Sequence, residues 1–143
     1  MIMGVAPAWC ERFRRIPYLD KGRTRAGVDC YGLYKLVNLE QFGRLVPDYV
    51  YSSSLDQDAV AQVMDQYLAV DFRRVETPAP GDLITLKLIG RPWHCGCWVA
   101  PGLMLHSIGD QLSGIERLDS VRWARRITGF HRPVAVTDIA EAA

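Results

Sequence analysis

Thr77-Pro-Ala-Pro-Gly81 and the run just behind it, Leu83-Ile-Thr-Leu-Lys-Leu-Ile89, divide this 143-residue chain into two textures. Before the break, apolar residues recur at helical spacing; after it, short β-rich runs alternate with turn signals. Ala6, Trp9, Cys10, Phe13 and Ile16 share one helical face opposite Glu11, Arg12, Arg14 and Arg15, and Pro17 closes that segment. Asp29 is a good N-cap for a second helix, whose Leu33, Tyr34, Val37 and Phe42 run to Gly43. Ser54 with Gln57 three residues on opens a third, with a buried stripe of Val60, Met64, Tyr67 and Leu68 and with Val63 beside it. Strands are expected at residues 83–89, 93–99, 103–107 and 126–132, with a turn at Ala100-Pro-Gly102. Helices first and antiparallel strands second predict an α+β fold.

The length suits one domain over residues 1–143, with a core about 9–133 and residues 138–143 poorly tied down. Hydrophobic residues make up 49%, enough for a real core, and four tryptophans and six tyrosines can fill it. A net charge of +1 gives no field that points to nucleic acid or an anionic membrane. The short basic runs (Arg12, Arg14, Arg15; Lys21, Arg23, Arg25; Arg125, Arg126) read as solvated faces. No apolar run is long enough to insert in a membrane, and no signal-peptide pattern stands at the amino terminus. Synthesis in the cytoplasm is therefore expected, with Cys10, Cys30, Cys95 and Cys97 as reduced thiols.

Cys30 directly follows the Asp29 cap, in the first turn of its helix. Unpaired N–H groups and the positive dipole end there favour a thiolate, the nucleophilic form. Gly32 leaves room over the sulfur for a substrate backbone; the plain alternative is a buried apolar cysteine. In a hairpin centred on Pro101, Val99 faces Leu103 and Gly96 faces His106. His94 and His106 are then diagonal neighbours on one face, roughly 7–8 Å apart at Cα. One imidazole can take the thiol proton while the other fixes its tautomer, or both are satisfied core histidines. By alternation Cys95 and Cys97 point away from His94 into the core. The same alternation opposes a zinc site built on His94, Cys95, Cys97 and Cys10, so no metal or cofactor is expected.

Five motifs now stand in order: Pro17-Tyr18, Asp29-Cys-Tyr-Gly-Leu33, Pro80-Gly-Asp-Leu83, His94-Cys-Gly96 and Leu105-His-Ser107. Together, over roughly residues 9–132, the chain resembles the NlpC-type cell-wall peptidases, papain-like cysteine enzymes of bacteria and phages. The resemblance implies a papain-like NlpC fold, N-terminal helices packed on a C-terminal antiparallel β-sheet. It implies Cys30 as nucleophile, His94 as general base and His106 as the residue that orients the base. Tyr18 and Asp29 fall to the oxyanion and substrate contacts, Tyr18 through a hydroxyl near the thiolate and with the Cys30 backbone N–H as partner donor. The implied substrate is a peptidoglycan stem peptide, cut between D-glutamate and the diamino acid through a thioacyl-enzyme. Lys21, Arg23 and Arg25 lie near where that substrate's carboxylates would sit, unless they are only solvated. Tyr31, where the family usually has a small serine, is expected to narrow the rim of the cleft.

The closing run Arg125-Arg-Ile-Thr-Gly-Phe-His-Arg-Pro133 is similar to the end of the subgroup encoded by phages, prophages and gene-transfer particles. That implies incorporation in a phage-like tail, in the virion, with other tail or tail-tip proteins as partners. The alternatives on the same fold are a structural tail-tip component with little activity, and an acyltransferase that shares the acyl-enzyme.

Overall fold

The computed structural model describes residues 3–88, 91–134 and 137–138. Its first element is a 3₁₀ helix, Ala8–Phe13, shorter and tighter than the α-helix expected over residues 6–16. Long-range bonds pull the chain out of helix after Phe13. The Arg15 N–H donates to the Ser113 carbonyl at 2.9 Å and the Ile16 N–H to Ser113 Oγ at 2.9 Å. Arg15 sits at a φ of 64°, a left-handed conformation that no helix continues.

Helix α1, Cys30–Phe42, starts where the Asp29 carboxylate accepts the Gly32 N–H at 2.7 Å. It stops at Gly43, whose φ of 63° is the left-handed cap that glycine adopts without strain. Helix α2, Gln57–Asp71, is capped by Asp56 and not by Ser54. The reason is a competing acceptor: Asp20 takes both the N–H and the hydroxyl of Ser54, each at 2.6 Å. Of the expected stripe, Val60 and Met64 are buried, whereas Tyr67 is 38% exposed and stacks on Tyr49.

Among the described residues there are ten strands in chain order: β1 Arg23–Thr24, β2 Gly27–Val28, β3 Arg44–Leu45, β4 Phe72–Val75, β5 Leu83–Leu88, β6 Arg91–Ala100, β7 Leu103–His106, β8 Gly114–Arg117, β9 Ile127–Pro133 and β10 Thr137–Asp138. Six form one antiparallel sheet in the order β4-β9-β5-β6-β7-β8, β1 pairs with β2, and β3 with β10. Ile89, expected at the end of β5, and residues 139–143 of the expected loose tail lie outside the described residues. Asp138 is paired with Arg44.

In the β6–β7 hairpin Cys97 pairs with Leu105 and Trp98 with Met104. At the turn Ala100, not Val99, meets Leu103, so the expected register holds in the strands and slips by a bulge at the tip. Odd-numbered β6 residues Cys95, Cys97 and Val99 join α1 residues Leu33, Tyr34 and Val37 in the larger core. Trp98 and Met104 face the other way, against Ile84, Leu86, Leu118 and Trp123. One face of the sheet is thus covered by the helices, and the other by the segment between β8 and β9.

Candidate functional site

The start of α1 is held by a buried carboxylate. Asp29 has no exposed surface and accepts from Gly32 N–H, from Lys21 N–H at 3.2 Å, from the Arg23 guanidinium at 2.8 Å and from the Tyr51 hydroxyl. Burial, and then the neighbouring Cys30, raise its pKa. Asp29, expected at the substrate, therefore anchors the helix from beneath and is not among the residues that line the cleft. Arg23 is further paired with Asp48 at 3.0 Å. Arg25 bonds Glu40 at 2.5 Å and the Arg12 carbonyl at 2.5 Å. These two guanidiniums, expected near substrate carboxylates, are engaged by the chain's own acceptors.

The hairpin register carries His94 and His106 to one another: His94 Nε2 lies 2.9 Å from His106 Nδ1, with the rings edge to face. Gly96 permits the approach, since a Cβ there would meet Met104 Sδ at 2.9 Å and His106 Cβ at 3.4 Å. His106 Nε2 in turn bonds Glu116 Oε2 on β8. Trp123 packs flat on His94 (5.6 Å, 20°) and edge-on to His106 (5.3 Å, 85°), and its indole N–H donates to Glu116 Oε2 at 3.0 Å. Burial lowers the His106 pKa, against the opposing pull of Glu116. Glu116 is held down to about 2, first by its bond from His106, with Trp123 and Arg122 adding to it. Glu116 is thus an ionised acceptor beside a neutral imidazole.

Cys30 is partly exposed, and its thiol lies well below the ordinary cysteine range. The neighbouring Cys95 thiol is the largest cause; burial opposes it, and the nearby His94 adds to it. Cys95 itself is pushed up by burial and by the neighbouring sulfur, so it remains a thiol and a donor. Its side chain lies in the helix-side core, as alternation requires, and that places it against the Cys30 sulfur. Alternation predicts that Cys95 points into the core, and does not predict its neighbour there. Cys97 shows no such involvement, and its pKa is raised chiefly by burial.

Cys30 and His94 open on a cleft with about 460 Å³ of empty space, open solvent included, walled by Tyr18, Tyr31, Tyr51 and Trp93. Tyr31 is buried, and its hydroxyl donates to the Pro47 carbonyl at 2.6 Å, so it forms wall more than rim. The Tyr18 hydroxyl lies 2.5 Å from Ser54 Oγ. Because Ser54 spends its own proton on the acceptor-only Asp20, the Tyr18 proton points at Ser54. Burial raises the Tyr18 pKa to about 12. His131 is elsewhere on the sheet, 3.1 Å from Thr85 Oγ1, and takes no part. Among the described residues no three metal-ligating side chains are grouped around one point.

Glu116 and Trp123 are the residues that sequence reasoning missed. Both lie in 108–125, where no strand was expected, and a carboxylate ten residues beyond His106 was the one available signal.

Residues 15–132 match the NlpC/P60 family. The chain is 30% identical over 131 residues to the tail tip assembly protein K of Escherichia phage lambda, covering 85% of this chain and 62% of that protein. It thus spans 62% of that relative's length. Among solved structures it is similar to an NLP/P60-family protein, described as similar to lipoprotein, from Staphylococcus aureus subsp. aureus Mu50. That match has 26% identity and a TM-score of 0.59, over 87% of this chain and 38% of the other. The NlpC/p60 domain of the peptidoglycan hydrolase SagA matches with 20% identity and a TM-score of 0.56, over 87% of this chain and 92% of that one. The fold is therefore the papain-like α+β fold of those domains.

Proposed function

Because the chain belongs to the NlpC/P60 family, we propose that it is a cysteine peptidase, acting as one domain, that cleaves peptidoglycan stem peptides. The observation that carries this reading is the row from Cys30 at a helix start through His94 to His106, with the two rings joined at 2.9 Å. His94 uses Nε2 for His106, which leaves Nδ1 to take the Cys30 proton. The thiolate attacks the carbonyl carbon of the scissile amide. The developing oxyanion is met by the Cys30 backbone N–H and by the Tyr18 hydroxyl, once the latter turns from Ser54. His94 then protonates the leaving amine as the C–N bond breaks, giving a thioacyl-enzyme. Water, deprotonated by His94, attacks that acyl carbon and releases Cys30 as the thiol.

The bond we assign is the one between D-glutamate and the diamino acid. The tail-tip relative from phage lambda supports a virion setting, with other tail proteins as neighbours. Digestion of defined tripeptide and tetrapeptide muropeptides, followed by mass analysis, tests the assignment. The expected products are the disaccharide-dipeptide and a fragment with a free amino group on the diamino acid. Muropeptides left intact by the wild-type protein, or cut equally by Cys30→Ala, would overturn it.

A further inference from the structure

We propose that Glu116 is a positioning residue of this site: it is the terminal acceptor that sets the proton order along the row from His106 through His94 to Cys30. The inference rests on the assignment of Cys30 and His94 above. A carboxylate can only accept, so the bond between His106 Nε2 and Glu116 Oε2 requires the proton of neutral His106 to be on Nε2. His106 Nδ1 is then a bare lone pair, and the His94 Nε2 that it meets at 2.9 Å must donate. Of the two nitrogens without a proton, His106 Nδ1 is occupied by that bond, and His94 Nδ1 is the one left to accept from the thiol. Without Glu116, His106 could carry its proton on Nδ1 and donate to His94 Nε2. His94 would then hold its own proton on Nδ1, unable to accept one from sulfur. The carboxylate also sits one imidazole away from the positive charge that His94 acquires when the thiolate forms.

Glu116 is built into place for this. Trp123 donates to the same Oε2 at 3.0 Å while covering both imidazoles, and Arg122 approaches Oε1 at 3.4 Å. Its carboxylate stays ionised throughout the neutral range, chiefly through the bond from His106. The other groups facing the row are Asp29, Tyr18 and Cys95 around the sulfur and Arg122 beside Glu116. Glu116→Gln leaves Asp29, Tyr18 and Cys95 untouched. It keeps one oxygen for His106 and Trp123 and gives up the ion pair with Arg122, so it removes charge while conserving shape. Glu116→Ala removes the acceptor as well.

The test is the rate of Cys30 alkylation by iodoacetamide as a function of pH, with the modified residue mapped by mass, on the purified full chain. Wild-type protein should show a thiolate titrating below the ordinary cysteine range. In Glu116→Gln the titration should move upward by about one pH unit, because the imidazolium partner loses a counter-charge one ring away. Glu116→Ala should in addition lower kcat on muropeptides on the order of 10²-fold, with KM nearly constant. Arg117→Ala, on the same strand but exposed and paired with Asp119, should leave the titration where it is. If Glu116→Ala fails to fold, the Gln variant decides alone. Wild-type and Glu116→Gln curves that coincide within about 0.3 pH unit would overturn the role of Glu116 and leave Cys30 standing. A wild-type thiol titrating in the ordinary range would overturn the site assignment itself.

Discussion

Asp29→Ala should destabilise the protein by about 3 kcal/mol while leaving KM nearly unchanged. The side chain caps α1 through the 2.7 Å bond from Gly32 N–H, and loss of such a cap costs about 1 kcal/mol. The Arg23 guanidinium and the Tyr51 hydroxyl each lose a buried partner, at about 1–3 kcal/mol apiece. Two things offset part of this. Arg23 keeps Asp48 and Tyr51, and the buried carboxylate, whose pKa burial raises, no longer has to be desolvated. In urea, with a slope of about 2 kcal/mol/M, the midpoint should fall by about 1.5 M. Asp29→Asn keeps the capping oxygen and should lose about 1 kcal/mol less. A stability loss below about 1 kcal/mol, combined with a KM raised more than about tenfold, would refute the reasoning and return Asp29 to the substrate.

Three further outcomes follow from the site. Cys30→Ala and His94→Ala should reduce muropeptide cleavage to background and His106→Ala on the order of 10²-fold, whereas His131→Gln should stay active; product mass analysis ranks them. Tyr18→Phe should lower kcat roughly tenfold, while Ser54→Ala, which releases the Tyr18 hydroxyl, should not. Equal losses in both would assign that hydroxyl to holding the 53–56 loop. Cys95→Ala should slow alkylation of Cys30 near neutral pH several-fold by removing the S–H donor, and Cys97→Ala should not; reversal of that order would reject the Cys30–Cys95 contact.

Much of the architecture was legible because local and global preferences agree. Asp29 and Gly43 bracket α1 by cap chemistry alone, and the β6–β7 register follows from centring the hairpin on Pro101. Failures occur where distant groups outbid local ones. Asp20 claims Ser54 from across the chain and moves the α2 cap to Asp56; Ser113 draws Arg15 and Ile16 out of helix. Strands β4 and β8 are only four residues long, and β8 in particular alternates too weakly to register as a pattern. With β8 unseen, Glu116 had no address, and the row of side chains ended at His106. The contact of Cys95 with Cys30 was hidden for a different reason: alternation says which face a residue takes, and nothing about which helix terminus lies over it.

The Ser113 clasp joins parts of the chain that are far apart in sequence. Its hydroxyl donates to the Phe13 carbonyl at 2.6 Å and accepts from Ile16 N–H, and its backbone pairs with Arg15 and Ile16. Five residues beyond Phe13 stands Tyr18, and three beyond Ser113 stands Glu116, so one serine ties together the segments that carry these two side chains. Contacts spanning some hundred residues close late, because loop entropy must be overcome before they return any stability. During refolding, secondary structure should therefore recover ahead of thiol reactivity, and a chain truncated short of Ser113 should lack the fast alkylation of Cys30 expected of the whole chain.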